Sequence, residues 1–370
     1  MSGDTYSIDC SNLHVGGGVQ VACSFVNELQ NSFDGDFSLS IIASAEVVRH
    51  LHRKSFDAPF AFPIQVVDTF GWRPLSRGAR EYTNKHTRVF TVFGPLYRWR
   101  TPFKSIVGFA QPWIIYPDNE CYARLPLLRR LPTRLKFKVQ SIFFKRADEL
   151  VVELEHVKEG LIRELGIAPE RIHVVHNCLS SLYADETSWR PVSIPPSKGA
   201  LRLGFVGRNY SHKNTAIFPD MIRALKNQHS IDARCYVTFT EAEWRACTPE
   251  FRKVCVNVGP LDVDQCPTFY RAMDGIVFPS LLECFSATPL EAMAMERPLF
   301  ASDRLFNTEI CGEHAWYFDP MAPETAADCI ASAFGGSGPD HEALRRAREH
   351  AISFASPKER AQRYLEILRS

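Results

Sequence analysis

The sequence predicts an α/β protein made of two successive doubly wound domains, and three observations carry that prediction. The chain has 370 residues, more than one ordinary domain and enough for two of roughly 150–200 residues each. Short apolar runs of strand character alternate with helical patterns in both halves, as mainly parallel sheets require. Between the halves, Arg-Pro-Val-Ser-Ile-Pro-Pro-Ser-Lys-Gly-Ala over 190–200 is poor material for a helix or a central strand.

In the first half, strand character begins at Tyr6–Cys10 and is followed by the glycine run Gly16-Gly17-Gly18. Val19, Ala22, Phe25, Val26 and Leu29 then recur at helical spacing. Further strands read at 37–43, 63–67, 88–92, 149–152 and 171–175, with a helical pattern over Val157–Leu165. The second half restarts the alternation, with strands at 201–206, 232–239, 254–258, 275–278 and 298–301. The expected division is therefore a first domain over 1–190, a linker over 191–200 and a second domain over 201–355. A cleft between two such sheets is where ligands usually bind.

Composition narrows the function classes. Hydrophobic content of 45% and charged content of 23% are those of a globular protein. A net charge of +1, from 43 basic and 42 acidic residues, argues against nucleic acid as a partner. The 11 cysteines form no CxxC pair or Cys/His cluster, so reduced thiols in the cytoplasm are expected rather than disulfides or zinc. Met1–Leu13 lacks the pattern of a signal peptide. No apolar run approaches the ~20 residues of a spanning helix.

The most informative stretch follows the buried strand Gly275–Phe278. A loop over Ser280–Ala287 leads into a helix marked by Thr288, Pro289 and Glu291, which fit an N-cap, N1 and N3 in a capping box. Glu291 could serve only that cap, and Glu283 could be an ordinary loop acid. The alternative is a ligand site. The loop brings backbone N–H groups and a helix N-terminus to one point, which suits a diphosphate. The two carboxylates beside it can accept hydrogen bonds from sugar hydroxyls. Upstream, the strand 201–206 ends in Gly207-Arg208-Asn209-Tyr210-Ser211-His212-Lys213-Asn214. A glycine turn with Arg208 and Lys213 can cradle phosphate, although any single such loop is more often a solvated one.

Taken together, these features resemble the second half of the family-4 retaining glycosyltransferases. Glu283 and Glu291 match the family's Glu-x7-Glu pair, after a strand ending Pro279-Ser280 and before Glu291-Ala-Met293. Gly207, Arg208 and Lys213 match its phosphate-binding segment, and the resemblance continues through Ser302-Asp303 and Glu309 to Tyr317-Phe-Asp-Pro320. It implies a GT-B fold of two Rossmann-like domains facing a cleft, with 356–370 crossing back onto the first. It also implies that Arg208 and Lys213 hold the donor diphosphate, Glu291 the ribose and Glu283 the transferred sugar. Phe285, Ser286 and Ala287 would line the donor loop. Glu283, Arg208 and Lys213 would be the groups that act in catalysis. Two departures stand out: Glu296-Arg297 precede Pro298 where the family usually has a glycine, and Cys284 follows Glu283.

In the first half, Gly17 and Gly18 match the family's glycine-rich loop, where small residues admit the donor phosphate. The run lacks the GxGxxG spacing of a dinucleotide fold. Asn177 matches the asparagine of the family's Pro-Asn-Gly. The segment Gly108–Pro112 corresponds to one that carries a histidine in many relatives, and here it has none. From Cys121 to Ala147 eight basic residues and no acid interleave with leucines and phenylalanines. Arg129, Arg130 and Arg134 are the expected contacts to an anionic membrane surface. The competing reading is a core helix with solvated cations, interrupted at Pro126 and Pro132.

The expected activity is retaining transfer of a sugar from a nucleotide diphosphate to an acceptor hydroxyl, without a metal or other cofactor. The expected acceptor is a glycan or lipid-linked glycan of a bacterial-type surface polysaccharide. The chain would be cytoplasmic, peripheral to the inner face of the membrane. A nucleotide-sugar-binding relative without turnover, and a GT-B-fold epimerase, are the alternatives.

Overall fold

The structure is a computed structural model that describes residues 4–32, 37–53, 60–73, 75–336 and 338–370. It divides into two compact units, one comprising 1–117, 127–177 and 356–370 and the other 118–126 and 178–355.

The first unit holds a seven-stranded parallel sheet. Its strands are β1 (Thr5–Cys10), β2 (Ser38–Ala43), β3 (Ile64–Val66), β4 (Arg88–Thr91), β5 (Lys104–Gly108), β6 (Glu149–Val152) and β7 (Ile172–Val174), in the order β3-β2-β1-β4-β5-β6-β7. The helix Gly17–Ser32 buries Val19, Ala22, Phe25, Val26 and Leu29, the stripe its periodicity marks. The C-terminal helix Pro357–Arg369 joins the same core through Ala361, Tyr364, Ile367 and Leu368. The Tyr364 ring lies 5.0 Å from Phe25 and 4.9 Å from Phe90. Arg360 of that helix reaches the Asn177 side-chain oxygen and donates to Ser24 Oγ at 2.7 Å. Asn177 in turn donates to Glu153 Oε1 at 2.8 Å, so its amide fastens the end of the chain to this unit.

The second unit holds β8 (Leu201–Phe205), β9 (Ala233–Val237), β10 (Cys255–Asn257), β11 (Gly275–Phe278), β12 (Leu299–Ser302) and β13 (Trp316–Phe318). They form a parallel sheet in the order β10-β9-β8-β11-β12-β13. The order reverses between β8 and β11, and loops leaving such a point at the carboxyl ends of strands are where open α/β sheets bind ligands.

Three expectations need correction. The boundary falls at 177/178 rather than at 190, and 178–200 is no free linker. Arg190 ion-pairs with Asp264 at 2.7 Å, Arg271 lies 4.4 Å from the Trp189 ring centroid, and Tyr236 donates to Pro195 O at 3.0 Å. Prolines lack the N–H a ladder needs, but their carbonyls can still accept, so the stretch lies along the second unit. Second, 118–126 departs from the first half to join the second unit. Glu120 pairs with Arg304 at 2.6 Å, and Arg124 donates to Asn214 Oδ1 at 2.6 Å.

Third, Pro132 does not divide the basic segment, because one helix spans Leu127–Arg146 with Pro132 inside it. The carbonyl that loses its partner is that of Leu128, and this residue is 92% exposed. The orphan can thus be solvated. Only the later part of the helix faces a core, through Phe137, Gln140, Phe143 and Phe144. Leu127, Leu128, Leu131 and Leu135 are exposed, which rules out a core-facing role for the first turns. Among the described residues no helix is long and apolar enough to cross a membrane.

Candidate functional site

The two loops singled out in the second half leave β8 and β11, neighbours in the sheet on either side of the reversal. Gly207 follows β8 with φ of +150°, and Asn214 ends the segment at φ +55°, in the left-handed region that asparagine tolerates. Asn214 is held there by its own bond to Pro320 O at 2.8 Å, together with the one from Arg124. The two loops are stitched by Leu281 N–H donating to His212 O at 2.7 Å.

That stitching brings Lys213 Nζ to 2.7 Å from Glu283 Oε1, with 15% and 12% of the two side chains exposed. Ser280 Oγ donates to the same carboxylate oxygen at 2.9 Å, and Lys213 lies 5.1 Å from the Phe278 ring centroid. His212 Nε2 stands 4.0 Å from Glu283. Burial holds the imidazole below its ordinary value, against the pull of the Glu283 charge. So Lys213, not His212, is the cation that balances Glu283.

Arg208 has a different partner. Its Nε lies 2.9 and 3.0 Å from the two oxygens of Glu243. Glu243 closes a capping box on the helix Glu241–Arg245, accepting from Thr240 N–H at 2.9 Å and its hydroxyl at 2.7 Å, and also accepts from Asn209 N–H at 3.0 Å. Desolvation works to raise the Glu243 carboxyl, yet these hydrogen bonds hold it down at about 2. A depressed carboxyl stabilises the fold above its unfolded value of about 4.5, and that stabilisation is lost as pH falls through the folded value. Glu243→Gln is therefore expected to be less stable at pH 7 by about 1–2 kcal/mol, allowing for the solvent-screened Arg208. The gap to the parent should close as pH falls from about 4.5 towards about 2; denaturant melts at several pH values measure it.

Glu291 overturns the capping expectation. The helix Thr288–Ala294 has Ala287 at its cap with no side-chain cap bond. Thr288 is already helical there, so its hydroxyl cannot take the N-cap position that a capping box needs. The Glu291 carboxylate instead accepts from Tyr270 OH at 2.8 Å and is partly accessible at the surface. Desolvation raises its carboxyl above the ordinary range, opposed by the phenols of Tyr270 and Tyr183. Phe285, Ser286 and Ala287 are half-buried in the loop between the two glutamates, and Cys284 is buried. Glu296 has φ of +53°, the conformation for which glycine is preferred after a helix. The departure at this position thus puts a glutamate where the backbone is left-handed.

Gly17 and Gly18 open the helix Gly17–Ser32 in the first unit. A Cβ on Gly18 would meet Leu13 Cδ2 at 3.2 Å, whereas one on Gly17 would meet nothing within 4 Å. Gln111, in the segment without a histidine, caps the short helix Pro112–Ile115 without a side-chain bond. Sequence reasoning missed Glu243, Tyr270, Tyr183 and Arg124. Only Glu243 left a local signal, the Thr240-x-x-Glu243 spacing of a capping box; the others act across elements distant in sequence.

Two doubly wound sheets, with loops and ionic groups gathered at the strand reversal of the second, define a GT-B fold of the glycosyltransferase kind. Residues 200–335, within the second unit, match the family model described as glycosyl transferases group 1. A glycosyltransferase from Rickettsia africae superposes with a TM-score of 0.71 at 16% identity, over 99% of this chain and 98% of that one. HepE of Anabaena, solved in complex with UDP and glucose, gives 0.72 at 14% identity over 98% and 99%. WaaG, a glycosyltransferase involved in lipopolysaccharide biosynthesis, gives 0.68 at 13% over 98% and 99%. At these identities the likeness establishes the fold. No curated protein sequence matches the chain.

Proposed function

We propose that this protein moves a sugar from a nucleotide diphosphate donor to an acceptor hydroxyl, with retention at the anomeric carbon. The observation that carries the reading is the Lys213–Glu283 pair at the strand reversal, eight residues before Glu291 on the same loop and helix. Lys213 supplies positive charge where a leaving diphosphate would develop negative charge. A fixed cation in a partly dehydrated site stabilises that charge without reorganising at the moment of reaction. Arg208, 51% exposed, has room to leave Glu243 and meet the same phosphates. The loop amides of 285–287 add donors, so the diphosphate charge is met by protein groups in place of a metal. Glu283 accepts from the hydroxyls of the transferred sugar, Glu291 from those of the ribose.

The acceptor in this proposal is a glycan or lipid-linked glycan of the surface-polysaccharide type, met at a membrane face. Exposed Leu127, Leu128, Leu131 and Leu135 share their turns with Arg129, Arg130 and Arg134. That combination suits a peripheral contact with anionic lipid on the cytoplasmic side, each cation contributing about 1 kcal/mol near the surface. Arg129→Glu, Arg130→Glu and Arg134→Glu together are expected to abolish sedimentation with phosphatidylserine vesicles at 0.1 M salt. Vesicle binding equal to the parent's, with the same salt sensitivity, would remove the membrane from the proposal.

A binding protein without turnover is the second reading, favoured by the missing histidine at Gly108–Pro112. A thermal-shift screen of nucleoside diphosphates and their sugars tests both, because a ligand of the folded state raises the melting temperature. The proposal expects at least one nucleotide sugar to stabilise the protein; no shift with any of them would defeat both readings.

A further inference from the structure

Among the described residues, no cation stands within ion-pair distance of the Glu291 carboxylate. Instead, two phenols from different elements converge on it. Tyr270, fully buried on the helix Cys266–Arg271, donates to Oε2 at 2.8 Å. Tyr183, 8% exposed on the turn Ser181–Ala184, packs beside Tyr270 with its phenol within electrostatic reach of the same carboxylate. Its hydroxyl has no hydrogen-bond partner of normal geometry, and a buried hydroxyl left so is costly. The two rings stand 6.3 Å apart, centroid to centroid.

We infer that Tyr270, through its bond to Oε2, and Tyr183, packed beside Tyr270, are positioning residues that hold Glu291 to accept from the cis-hydroxyls of the donor's ribose. The inference rests on the proposed reading of Glu291 as the ribose contact and adds the residues that make it selective. A phenol at neutral pH is a hydrogen-bond donor to a carboxylate, so the pair favours the ionised form that a ribose diol needs. A lysine would do the same, but it would also neutralise the charge that attracts the diol. Other groups acting on this cluster are the Cys266 thiol, itself raised by burial, and the Thr288 hydroxyl. Neither supplies positive charge.

The test compares binding of UDP, GDP and ADP with that of their 2′,3′-dideoxy counterparts by calorimetry. The parent is expected to prefer the ribose form. Tyr270→Phe should cut that preference about tenfold, the effect of a lost hydrogen bond to a charged group. It should also move the pH at which the preference disappears upward. The sign follows from the chemistry: hydroxyls donate to the carboxylate, so affinity falls as pH drops through the carboxyl's value, and losing a donor raises that value. Tyr183→Phe removes no hydrogen bond of normal geometry and should fold, with a smaller cut in preference than Tyr270→Phe; it carries the test if Tyr270→Phe does not fold. Glu291→Gln separates the two layers. If it leaves the ribose preference intact, the reading of Glu291 fails and the inference falls with it. If it abolishes the preference while neither phenol variant that folds changes it or its pH dependence, the positioning role alone is overturned.

Discussion

Glu283→Gln is expected to lower transfer by about 10²–10³ in kcat while nucleoside diphosphate affinity holds or rises. In the structure Lys213 is paired with this carboxylate at 2.7 Å, so an incoming diphosphate competes with Glu283 for the cation. The amide removes the competitor and keeps a carbonyl that can accept from Ser280. It loses the charge that would hold the sugar and balance an electron-poor anomeric carbon. Affinity for the leaving group and rate of transfer should therefore move apart, which a general disturbance of the site would not produce. Some stability should go as well, because Glu283 has a structural partner and is not the free loop acid that its place in the sequence suggests. Steady-state kinetics beside calorimetry with the diphosphate measure both parts. A parallel loss of rate and affinity would point to damage rather than to the assigned role.

Lys213→Ala should have the larger effect. It removes the fixed cation from the leaving group and leaves Glu283 unpaired with only 12% of its side chain exposed. Expected losses are about 10³ or more in kcat/KM and about 1–3 kcal/mol in stability, the cost of a half-buried charge without its partner. The double variant Lys213→Ala, Glu283→Gln should recover most of that stability and none of the activity. Such non-additivity marks two groups in direct contact. If the stability losses of the two single variants simply add, the pair contributes nothing to the fold.

Much of this was legible in the sequence, for physical reasons that differ by element. The long amphipathic helix Gly17–Ser32 and the buried strand Gly275–Phe278 carry their periodicity locally. β5 and β13 escaped: Lys104–Gly108 is buried after its first residue, with no alternation to mark it, and Trp316–Phe318 is three residues long. The Thr288-Pro-Leu-Glu291 spacing fits a capping box, and the structure spends Glu291 on Tyr270 instead. A tertiary partner 21 residues away overrides a local rule, as happens most at functional sites. The prolines near 190 mark the absence of regular structure correctly but not which unit the segment lies against. For the basic helix, sequence offered two faces for the leucines, and only the structure shows them turned outward in the first turns.

Transfer itself tests the central claim most directly. The purified protein would be given the nucleotide sugar that stabilises it most, with a panel of glycan and lipid-linked acceptors, and the new anomeric linkage read by proton NMR. The account predicts a glycoside with the donor's anomeric configuration, lost in Glu283→Gln. A product of inverted configuration, or a tightly bound nucleotide sugar that is neither transferred nor hydrolysed, would contradict it.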